Sequence, residues 1–304
     1  MRYAVTGAAG FIGSHLAERL VANGHEVVGF DCFTDYYDPA LKDENARDLD
    51  VRRVDLAEDA LDFAGFDGVF HLAGQPGVRS FGDRFPLYLR HNLLASQRVF
   101  EAAARDGARV VFASSSSVYG AAERYPTPED TPPRPLSPYG ITKLGCEHLA
   151  AAHAREFGLD HVVLRYFNAF GPRQRPDMAF TRIAFALAGG GTFELFGDGE
   201  QSRGWTYVTD VVAATVLAME QGRGTYNVGG ALEASMNETI ALLERISGRT
   251  LDVRRHEHAV PGDQRRTSAD TTRIRSELGW EPRLTLEEGL SEQWKWASAR
   301  VNAR

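Results

Sequence analysis

The chain has 304 residues, and 43% of them are hydrophobic, which is enough for a sizeable core and excludes a disordered chain. Its 34 Lys and Arg against 41 Asp and Glu give a net charge of −7, which argues against general nucleic-acid binding. Cys32 and Cys146 form no disulfide framework and favour a reducing compartment. No signal peptide precedes the first strand-like run, and no apolar stretch reaches the ~18 residues of a membrane span. These features predict a soluble, cytoplasmic protein with neither a membrane nor a nucleic acid as partner.

Short β-type runs alternate with longer helical patterns along the chain. The expected strands are residues 2–6, 26–30, 51–54, 68–72, 109–113 and 161–167. The expected helices are residues 11–22, 84–105, 137–157, 179–188, 209–220, 236–247 and 286–299. The alternation predicts βαβ units, and therefore an α/β fold with a Rossmann-type doubly wound parallel sheet. After residue 168 the elements are shorter and richer in glycine, which predicts a smaller C-terminal α/β substrate domain.

A glycine-rich turn follows the first predicted strand, with Gly7, Gly10 and Gly13 in a G-x-x-G-x-x-G spacing ahead of a helix. Glycines there let the backbone approach a pyrophosphate at the positive end of the helix. Asp31 ends the second strand, where a carboxylate binds ribose hydroxyls and repels a 2′-phosphate, so NAD is favoured over NADP. Asp55 follows the third strand, where contact with the adenine and a simple helix N-cap both remain open.

A second cluster follows the fifth predicted strand, at the edge where open α/β sheets bind ligands. The run SSSSVYG (114–120) supplies hydroxyl groups, and Tyr139 and Lys143 are spaced to share one helical face. A free phenol has a pKa of about 10, and a nearby ammonium group favours the phenolate that acts as a base. The cluster predicts proton transfer at a substrate hydroxyl.

These residues make the chain resemble the extended short-chain dehydrogenases/reductases, and among them the NAD-dependent nucleotide-sugar epimerases. The resemblance covers nearly the whole chain, through the segments VTGAAGFIGSHL, HLAGQPGVRS, SSSSVYG, LRYFN, FGDGEQSRGWTYVTDV, YNVGG and ADTTRIRSELGWEP. It implies that Ser115, Tyr139 and Lys143 are catalytic and that NAD is the cofactor. The implied cofactor contacts are Gly7, Gly10, Phe11, Ile12, Gly13, Asp31, Asp55, Leu56, Leu72, Ala73, Gly74, Asn92, Tyr139, Lys143 and Tyr166.

A UDP-sugar is the implied substrate, although thymidine in place of uridine remains open. Its implied contacts are Arg79, Ser115, Ser116, Ser117, Tyr139, Asn168, Arg175, Arg182, Glu194, Phe196, Arg203 and Asp263.

The NAD-binding domain is expected to comprise residues 1–168 with returning segments at about 204–230 and 268–280. The nucleotide-sugar domain is expected to comprise residues 169–203, 231–267 and 281–304. Relatives dimerise through helices placed like 84–105 and 137–157, which implies a homodimer.

Two segments, DCFTDYYDPALK (31–42) and GPRQRPDMAF (171–180), resemble the UDP-glucuronate 4-epimerases more than the UDP-galactose 4-epimerases. In that subfamily the arginine at the position of Arg175 binds the sugar carboxylate, which implies conversion of UDP-glucuronate to UDP-galacturonate through a 4-keto intermediate. Asn168 departs from the subfamily, which usually has Thr there, and is the residue of galactose epimerases and decarboxylases. Sugar-nucleotide dehydratases carry an Asp-Glu pair where this chain has Ser116 and Ser117, which argues against dehydration.

Several alternatives stay open at this point. Arg173 and Arg175 are suited to two-point recognition of an anion, but a pair of surface salt bridges is the other interpretation. The rival activities are a UDP-glucose/UDP-galactose 4-epimerase, a UDP-glucuronate decarboxylase and a non-catalytic dinucleotide-binding regulator. No metal site is predicted, because His256 and His258 have no third ligand nearby.

Overall fold

The structure, a computed structural model, describes residues 1–77, 82–230, 233–258 and 264–302. Its largest sheet contains seven parallel strands in the order β11-β6-β5-β4-β1-β2-β3. The strands of this sheet, in chain order, are β1 (Arg2–Thr6), β2 (Glu26–Asp31), β3 (Val51–Arg53), β4 (Gly68–His71), β5 (Arg109–Ser115), β6 (His161–Tyr166) and β11 (Gly224–Val228). This arrangement confirms the predicted doubly wound parallel sheet.

Shorter strands follow β6 and form three small sheets among the described residues. These strands are β7 (Ala169–Phe170), β8 (Thr192–Phe196), β9 (Ser202–Gly204), β10 (Thr206–Tyr207), β12 (Glu233–Ser235), β13 (Asp252–His256) and β14 (Arg266–Thr267). Their pairs are β7 with β10, β8 with β13, and β9 with both β12 and β14. Most of these pairings join residues far apart in the sequence, which is why the chain pattern loosens after residue 168.

The helices flank the large sheet or pack against the smaller ones. They are α1 (Phe11–Ala22), α2 (Pro39–Ala46), α3 (Phe85–Tyr88), α4 (Ala95–Asp106), α5 (Pro138–Phe157), α6 (Ala179–Gly189), α7 (Val208–Gln221), α8 (Met236–Ser247), α9 (Thr272–Leu278) and α10 (Leu286–Asn302). Helix α2 was not predicted, although Asp38 caps the Ala40 amide and Pro39 occupies the first turn, which are both start signals.

One predicted helix, 84–105, is wrong as a continuous α-helix. The segment begins with a 3₁₀ turn and the short helix α3, passes through a π-helical stretch at Leu89–Leu94, and only then becomes α4. A π-helical turn adds a residue to the helical register and often lies at a functional site. Here the stretch contains the buried Asn92, whose side chain binds the backbone of Gln75 and the Thr142 hydroxyl.

Apolar side chains cover both faces of the large sheet, as a fully buried parallel sheet requires. One core contains Val5, Phe70 and Val111 and is covered by α1 and α7. The opposite core contains Val69 and Phe112 and is covered by α4 and α5. A third core joins α6, α8 and α10 to the smaller strands. The division into two domains with the boundaries given above remains a prediction.

His71 ends β4 inside the core and bears on the pH dependence of stability. Its ring is fully buried, with Nδ1 2.7 Å from the Thr6 hydroxyl and Nε2 2.9 Å from the Ser96 hydroxyl. Burial, aided by the charge of Lys143, lowers the pKa of His71 from 6.5 to about 3. The folded protein therefore keeps this imidazole neutral over a pH range in which the unfolded chain binds a proton.

We expect the free energy of unfolding to fall as the pH drops below about 6.5, because the unfolded state then binds one more proton at His71 than the folded state. Between pH 7 and pH 5 the loss from this group is about 2 kcal/mol. Urea unfolding of wild type and of His71→Gln at both pH values measures this loss of unfolding free energy, because the variant lacks the contribution of His71 to the pH dependence. The exposed His258→Gln is the control, and an equal pH dependence for all three proteins would contradict the prediction.

Candidate active site

A cavity lies along the carboxyl edge of the large sheet, and its wall brings most of the predicted cofactor residues together. The predicted residues in this wall are Gly7, Gly10, Phe11, Ile12, Gly13, Asp31, Asp55, Leu56, Leu72, Ala73, Gly74, Tyr139, Lys143, Tyr166 and Arg175. The carboxyl ends of parallel strands meet at one edge, so residues distant in the chain become neighbours.

The turn between β1 and α1 requires glycine because two backbone segments are in close contact. A Cβ at position 13 would lie 2.0 Å from the Gly7 carbonyl oxygen, and Gly7 has φ +71° beside the backbone of Ala73. No side chain among the described residues caps the first turn of α1, which begins after Gly10. Its backbone N–H groups and its dipole therefore face the cavity, which fits the pyrophosphate of a dinucleotide.

Asp31 joins this turn to the end of β2. Its carboxylate accepts hydrogen bonds from the Ala9 amide at 3.1 Å and from the Phe33 amide at 2.8 Å. Both bonds fix the carboxylate in the cavity wall, and its remaining lone pairs fit the hydroxyl groups of a ribose.

Of the two interpretations of Asp55 left open by the sequence, the helix N-cap is wrong, and contact with the adenine stays a prediction. Its carboxylate accepts a hydrogen bond from the Ala57 amide at 2.9 Å, but a turn follows rather than a helix. The other oxygen lies 2.6 Å from an Arg90 nitrogen, and the side chain also lines the cavity. The Arg90 guanidinium and the Ala57 amide lower the pKa of Asp55 against the opposing effect of burial.

Asn92, a predicted cofactor contact, is not part of the cavity wall and lies behind it. Its Oδ1 accepts the Gln75 amide at 2.7 Å, and a Cβ at Gly74 would lie 2.9 Å from the same oxygen. The side chain therefore supports the segment after β4 that forms the wall.

The predicted Tyr139 and Lys143 lie in the first two turns of α5. Ser137 caps this helix through the Gly140 amide, and Pro138 occupies its first turn, which places Tyr139 at the cavity. The Lys143 ammonium is buried, donates to the Ala113 carbonyl at 2.8 Å and lies 6.0 Å from the centroid of the Tyr139 ring. A positive charge at this distance stabilises a phenolate.

The serine run approaches the start of α5 because residue 140 is glycine. A Cβ there would lie 2.5 Å from the Ser117 carbonyl oxygen. Ser115 is nearly buried at the end of β5, and its hydroxyl oxygen accepts the Ser117 amide at 3.2 Å. The cavity wall includes Ser114 rather than Ser115, while the Ser114 hydroxyl donates to Glu147 on α5.

Tyr166 closes the cavity at the end of β6. Its hydroxyl lies 2.7 Å from the Thr215 hydroxyl, and burial raises the pKa of Tyr166. This phenol therefore stays neutral and presents its ring to the cavity.

The two arginines of the proline-rich loop have different roles. Arg173 contacts α1 through Ser14 at 3.2 Å and Glu18 at 2.7 Å, as expected for a structural salt bridge. Arg175 lines the cavity instead, where its guanidinium binds Asp177. Both arginines therefore form salt bridges, but Arg173 binds α1 whereas Arg175 lies in the cavity wall, where an anion would reach it.

Three other predicted substrate contacts lie after β6: Asn168 between β6 and β7, Arg182 on α6 and Arg203 on β9. Asn168 donates to the Thr267 hydroxyl at 2.7 Å, and Arg203 donates to the Ser202 carbonyl at 2.8 Å. The Arg182 guanidinium lies 5.3 Å from the centroid of the Phe193 ring. None of these three is part of the cavity wall that contains Tyr139.

Glu194 and Phe196 project from β8 toward β13. Both contact His256. The Glu194 carboxylate binds the Nε2 atom of His256, and the Phe196 ring stacks on the His256 ring with their centroids 4.6 Å apart. Phe196 is 37% exposed, which leaves ring surface for a planar ligand. Arg79 and Asp263 lie outside the described residues, so the structure does not place them.

The cavity also contains residues to which the sequence assigned no role. These are Cys32, Thr34, Tyr36, Tyr37, Lys42, Gln75, Pro76, His91, Ala95 and Ala113. Several belong to the segment 31–42, which was recognised only as a resemblance. Burial raises the pKa of both the Cys32 and the Cys146 thiols, so neither is an activated nucleophile.

The described residues contain no group of three or more His, Cys, Asp or Glu side chains that would hold a metal ion. None of the helices in the described part of the chain has the length and apolar character needed to cross a membrane.

Comparison with known proteins gives consistent matches over the chain. The model of the NAD dependent epimerase/dehydratase family matches residues 3–229. An uncharacterized UDP-glucose epimerase, YtcB, of Bacillus subtilis (strain 168) is 39% identical over 98% of each chain. A UDP-glucuronate 4-epimerase of Thermodesulfobacterium geofontis is 33% identical over 98% of this chain and 97% of its own.

Among solved structures, UDP-glucuronic acid 4-epimerase from Bacillus cereus in complex with UDP-glucuronic acid and NAD superposes with a TM-score of 0.95. The two chains are 37% identical, and the match covers 99% of this chain and 100% of the other. The similarity therefore extends over both the large sheet and the smaller strands.

We expect Gly13→Ala to lose most of its bound NAD and to unfold at lower urea concentration. The added Cβ would collide with the Gly7 backbone, and such overpacking costs about 2 kcal/mol. Denaturing the purified protein and measuring the released nucleotide gives the NAD content. Gly189→Ala is the matched control, because the new Cβ would meet only Val301 at 3.9 Å. Wild-type NAD content and stability in Gly13→Ala would contradict the prediction.

Proposed function

This chain belongs to the NAD-dependent epimerase/dehydratase family and is an NAD-dependent nucleotide-sugar 4-epimerase, and on that premise we propose that it converts UDP-glucuronate to UDP-galacturonate. The observation that carries the proposal is the position of Arg175, which lines the same cavity as Tyr139 and Lys143. A uronic acid has a carboxylate at C6 that a guanidinium binds in two-point geometry, and glucose has none.

The residues that would hold NAD are those of the glycine turn, Asp31 and the wall after β4. When bound there, NAD would supply an acceptor for the hydride of the sugar C4 and a donor of it to the opposite face, with no net redox change. The close fit of the turn between β1 and α1 supports retention of the cofactor through the cycle.

Tyr139 is the proposed acid and base. Its phenolate takes the proton of the sugar 4-hydroxyl as the C4–H bond breaks, and it returns this proton to the 4-oxygen when that bond forms again. Lys143 stabilises the phenolate through its buried charge, which the Ala113 carbonyl fixes. Ser115 is proposed to hydrogen-bond the same sugar oxygen from the end of β5.

Arg175 is proposed to hold the sugar carboxylate during the reaction. The 4-keto sugar formed from a uronic acid is a β-keto acid, and it loses CO₂ when the C5–C6 bond aligns with the carbonyl π system. A two-point contact from a guanidinium fixes this bond out of alignment while the sugar turns over. Epimerisation rather than decarboxylation then depends on the clamp.

UDP-glucose 4-epimerisation is the second candidate, and two observations favour it. Asn168 is the residue of the galactose epimerases, and here its amide binds Thr267. The relative in Bacillus subtilis that is 39% identical is a UDP-glucose epimerase by name.

The chain is further proposed to act as a cytoplasmic homodimer. Leu87, Leu94 and Ile141 are each at least 40% exposed on the segment that leads into α4 and on α5, and these two helices pack together. Exposed apolar side chains on neighbouring helices favour pairing with a second copy.

The first experiment is to incubate the purified protein with UDP-glucuronate and, separately, with UDP-glucose, without added NAD, and to identify the products by NMR. We expect UDP-galacturonate from the first substrate, because Arg175 recognises the carboxylate and the protein retains its cofactor. Turnover of UDP-glucose alone would contradict the uronate proposal, and a UDP-pentose as the main product would identify a decarboxylase.

We expect Arg175→Ala to lower kcat/KM for UDP-glucuronate about 100-fold and to shift the product toward the UDP-pentose, because the carboxylate loses a charged two-point contact. NMR of the product mixture measures the ratio. Arg173→Ala is the matched control on the same loop, because that arginine binds α1. An unchanged product ratio and turnover in Arg175→Ala would contradict the clamp.

A further inference from the structure

The guanidinium of Arg175 is held by two residues that the proposed mechanism does not use. Its Nε and Nη2 atoms bind the two carboxylate oxygens of Asp177, at 3.0 and 3.1 Å. The Tyr36 hydroxyl donates to Asp177 at 3.2 Å, and the Tyr36 ring centroid lies 5.9 Å from the guanidinium carbon. Tyr36 and Asp177 are 141 residues apart in the chain.

The Tyr36 side of this contact belongs to the segment that follows β2 at the cofactor end of the cavity. Lys42 is buried and donates to both the carbonyl and the hydroxyl of Thr34, each at 2.9 Å. Asp31 accepts the Phe33 amide in the same segment. Tyr36 is therefore attached to backbone that the proposed NAD site holds in place.

The Arg175 side of the contact is equally fixed. Gln174 is 2% exposed, and its amide donates to the Ala169 carbonyl at 2.9 Å and accepts bonds from Thr181 and Gln293. Pro176 restricts the backbone on the other side. The loop therefore leaves the long Arg175 side chain, rather than its backbone, as the part that needs orienting.

Asp177 occupies only one edge of the guanidinium. A guanidinium presents five N–H donors in a plane, and Asp177 binds along the Nε and Nη2 edge. Among the described residues, Nη1 makes no hydrogen bond. Burial by itself would lower the pKa of Arg175, but Asp177 raises it, so the side chain keeps its charge in the cavity.

We propose that Asp177 and Tyr36 are positioning residues that fix the plane of the Arg175 guanidinium, so that its other edge binds the carboxylate of a uronate and sets the preference for it over a neutral sugar. The inference rests on the proposed function. It adds a contact between the segment 31–42 and the segment 171–180, the one between Tyr36 and Asp177, and recognition of the carboxylate depends on this contact.

The opposite effect of Asp177, repulsion of the substrate carboxylate, is the weaker of the two. The Asp177 side chain is 43% exposed, so water screens its charge at a distance. Its contact with Arg175 is a direct, bidentate pair of hydrogen bonds, and the Tyr36 hydroxyl donates to the same carboxylate. Orientation of the guanidinium therefore outweighs the competition between the two carboxylates.

The test compares Asp177→Asn and Tyr36→Phe by the affinity of the NAD-loaded protein for UDP-glucuronate and for UDP-glucose, measured by calorimetry. In Asp177→Asn the amide nitrogen places a donor against a guanidinium donor. We expect the preference for UDP-glucuronate to fall about 10-fold, the usual effect of losing a hydrogen bond to a charged group, with little change for UDP-glucose. Tyr36→Phe should also lower the preference for UDP-glucuronate. The double variant should show the same preference as Asp177→Asn, because both residues act through one contact.

The matched control is Asp160→Asn, which removes an aspartate paired with Arg109 away from the cavity. It should leave both affinities unchanged, and NAD content and urea unfolding show whether each variant is folded. An unchanged or increased preference for UDP-glucuronate in folded, NAD-loaded Asp177→Asn would overturn the inference, as would additive effects in the double variant.

The calorimetry, together with the NMR turnover assay of the proposed function, separates this inference from that function. Wild-type protein that binds UDP-glucuronate in preference but turns over only UDP-glucose would contradict the proposed reaction and leave the positioning result to be judged from the variants. Wild-type protein with no preference for the uronate would contradict both.

Discussion

The contact between Gly13 and the Gly7 carbonyl is the constraint on which the rest of the site depends. It brings α1 so close to β1 that a single Cβ would not fit, and this close approach points the uncapped first turn of the helix into the cavity. Asp31 binds the backbone of the same turn and thereby connects it to β2. The proposed cofactor site is therefore built from the backbone of this turn and one carboxylate.

The chemistry is arranged around this position by the parallel sheet. Strands β5 and β6 end beside the cavity, and α5 returns across the edge with Tyr139 and the buried Lys143 at its start. The proposed proton transfer needs only these two side chains and a neighbouring hydroxyl. Selectivity for the sugar is proposed to depend on a different element, the loop after β7 from which Arg175 enters the same cavity.

Much of this organisation could be predicted from local patterns. The glycine turn, the acid that ends β2 and the Tyr139–Lys143 spacing each lie within one short segment or one βαβ unit, where spacing alone limits the geometry. The predicted helix 84–105 was wrong in detail because the π-helical turn around Asn92 depends on partners at Gln75 and Thr142. No short-range sequence pattern predicts such a turn, since the residues that stabilise it lie in other elements.

The sequence by itself determined the fold class and the cofactor, and it predicted the Tyr139–Lys143 pair, because these follow from hydrophobic periodicity and from motifs whose parts are close in the chain. Only the tertiary structure decided which arginine of the loop lines the cavity. Arg173 and Arg175 cannot be distinguished by residue type, but Arg173 binds α1 and Arg175 lies in the cavity wall. It also decided that Tyr36 meets Asp177 across 141 residues. Long-range contacts of this kind arise when the whole chain packs, so no local pattern contains them.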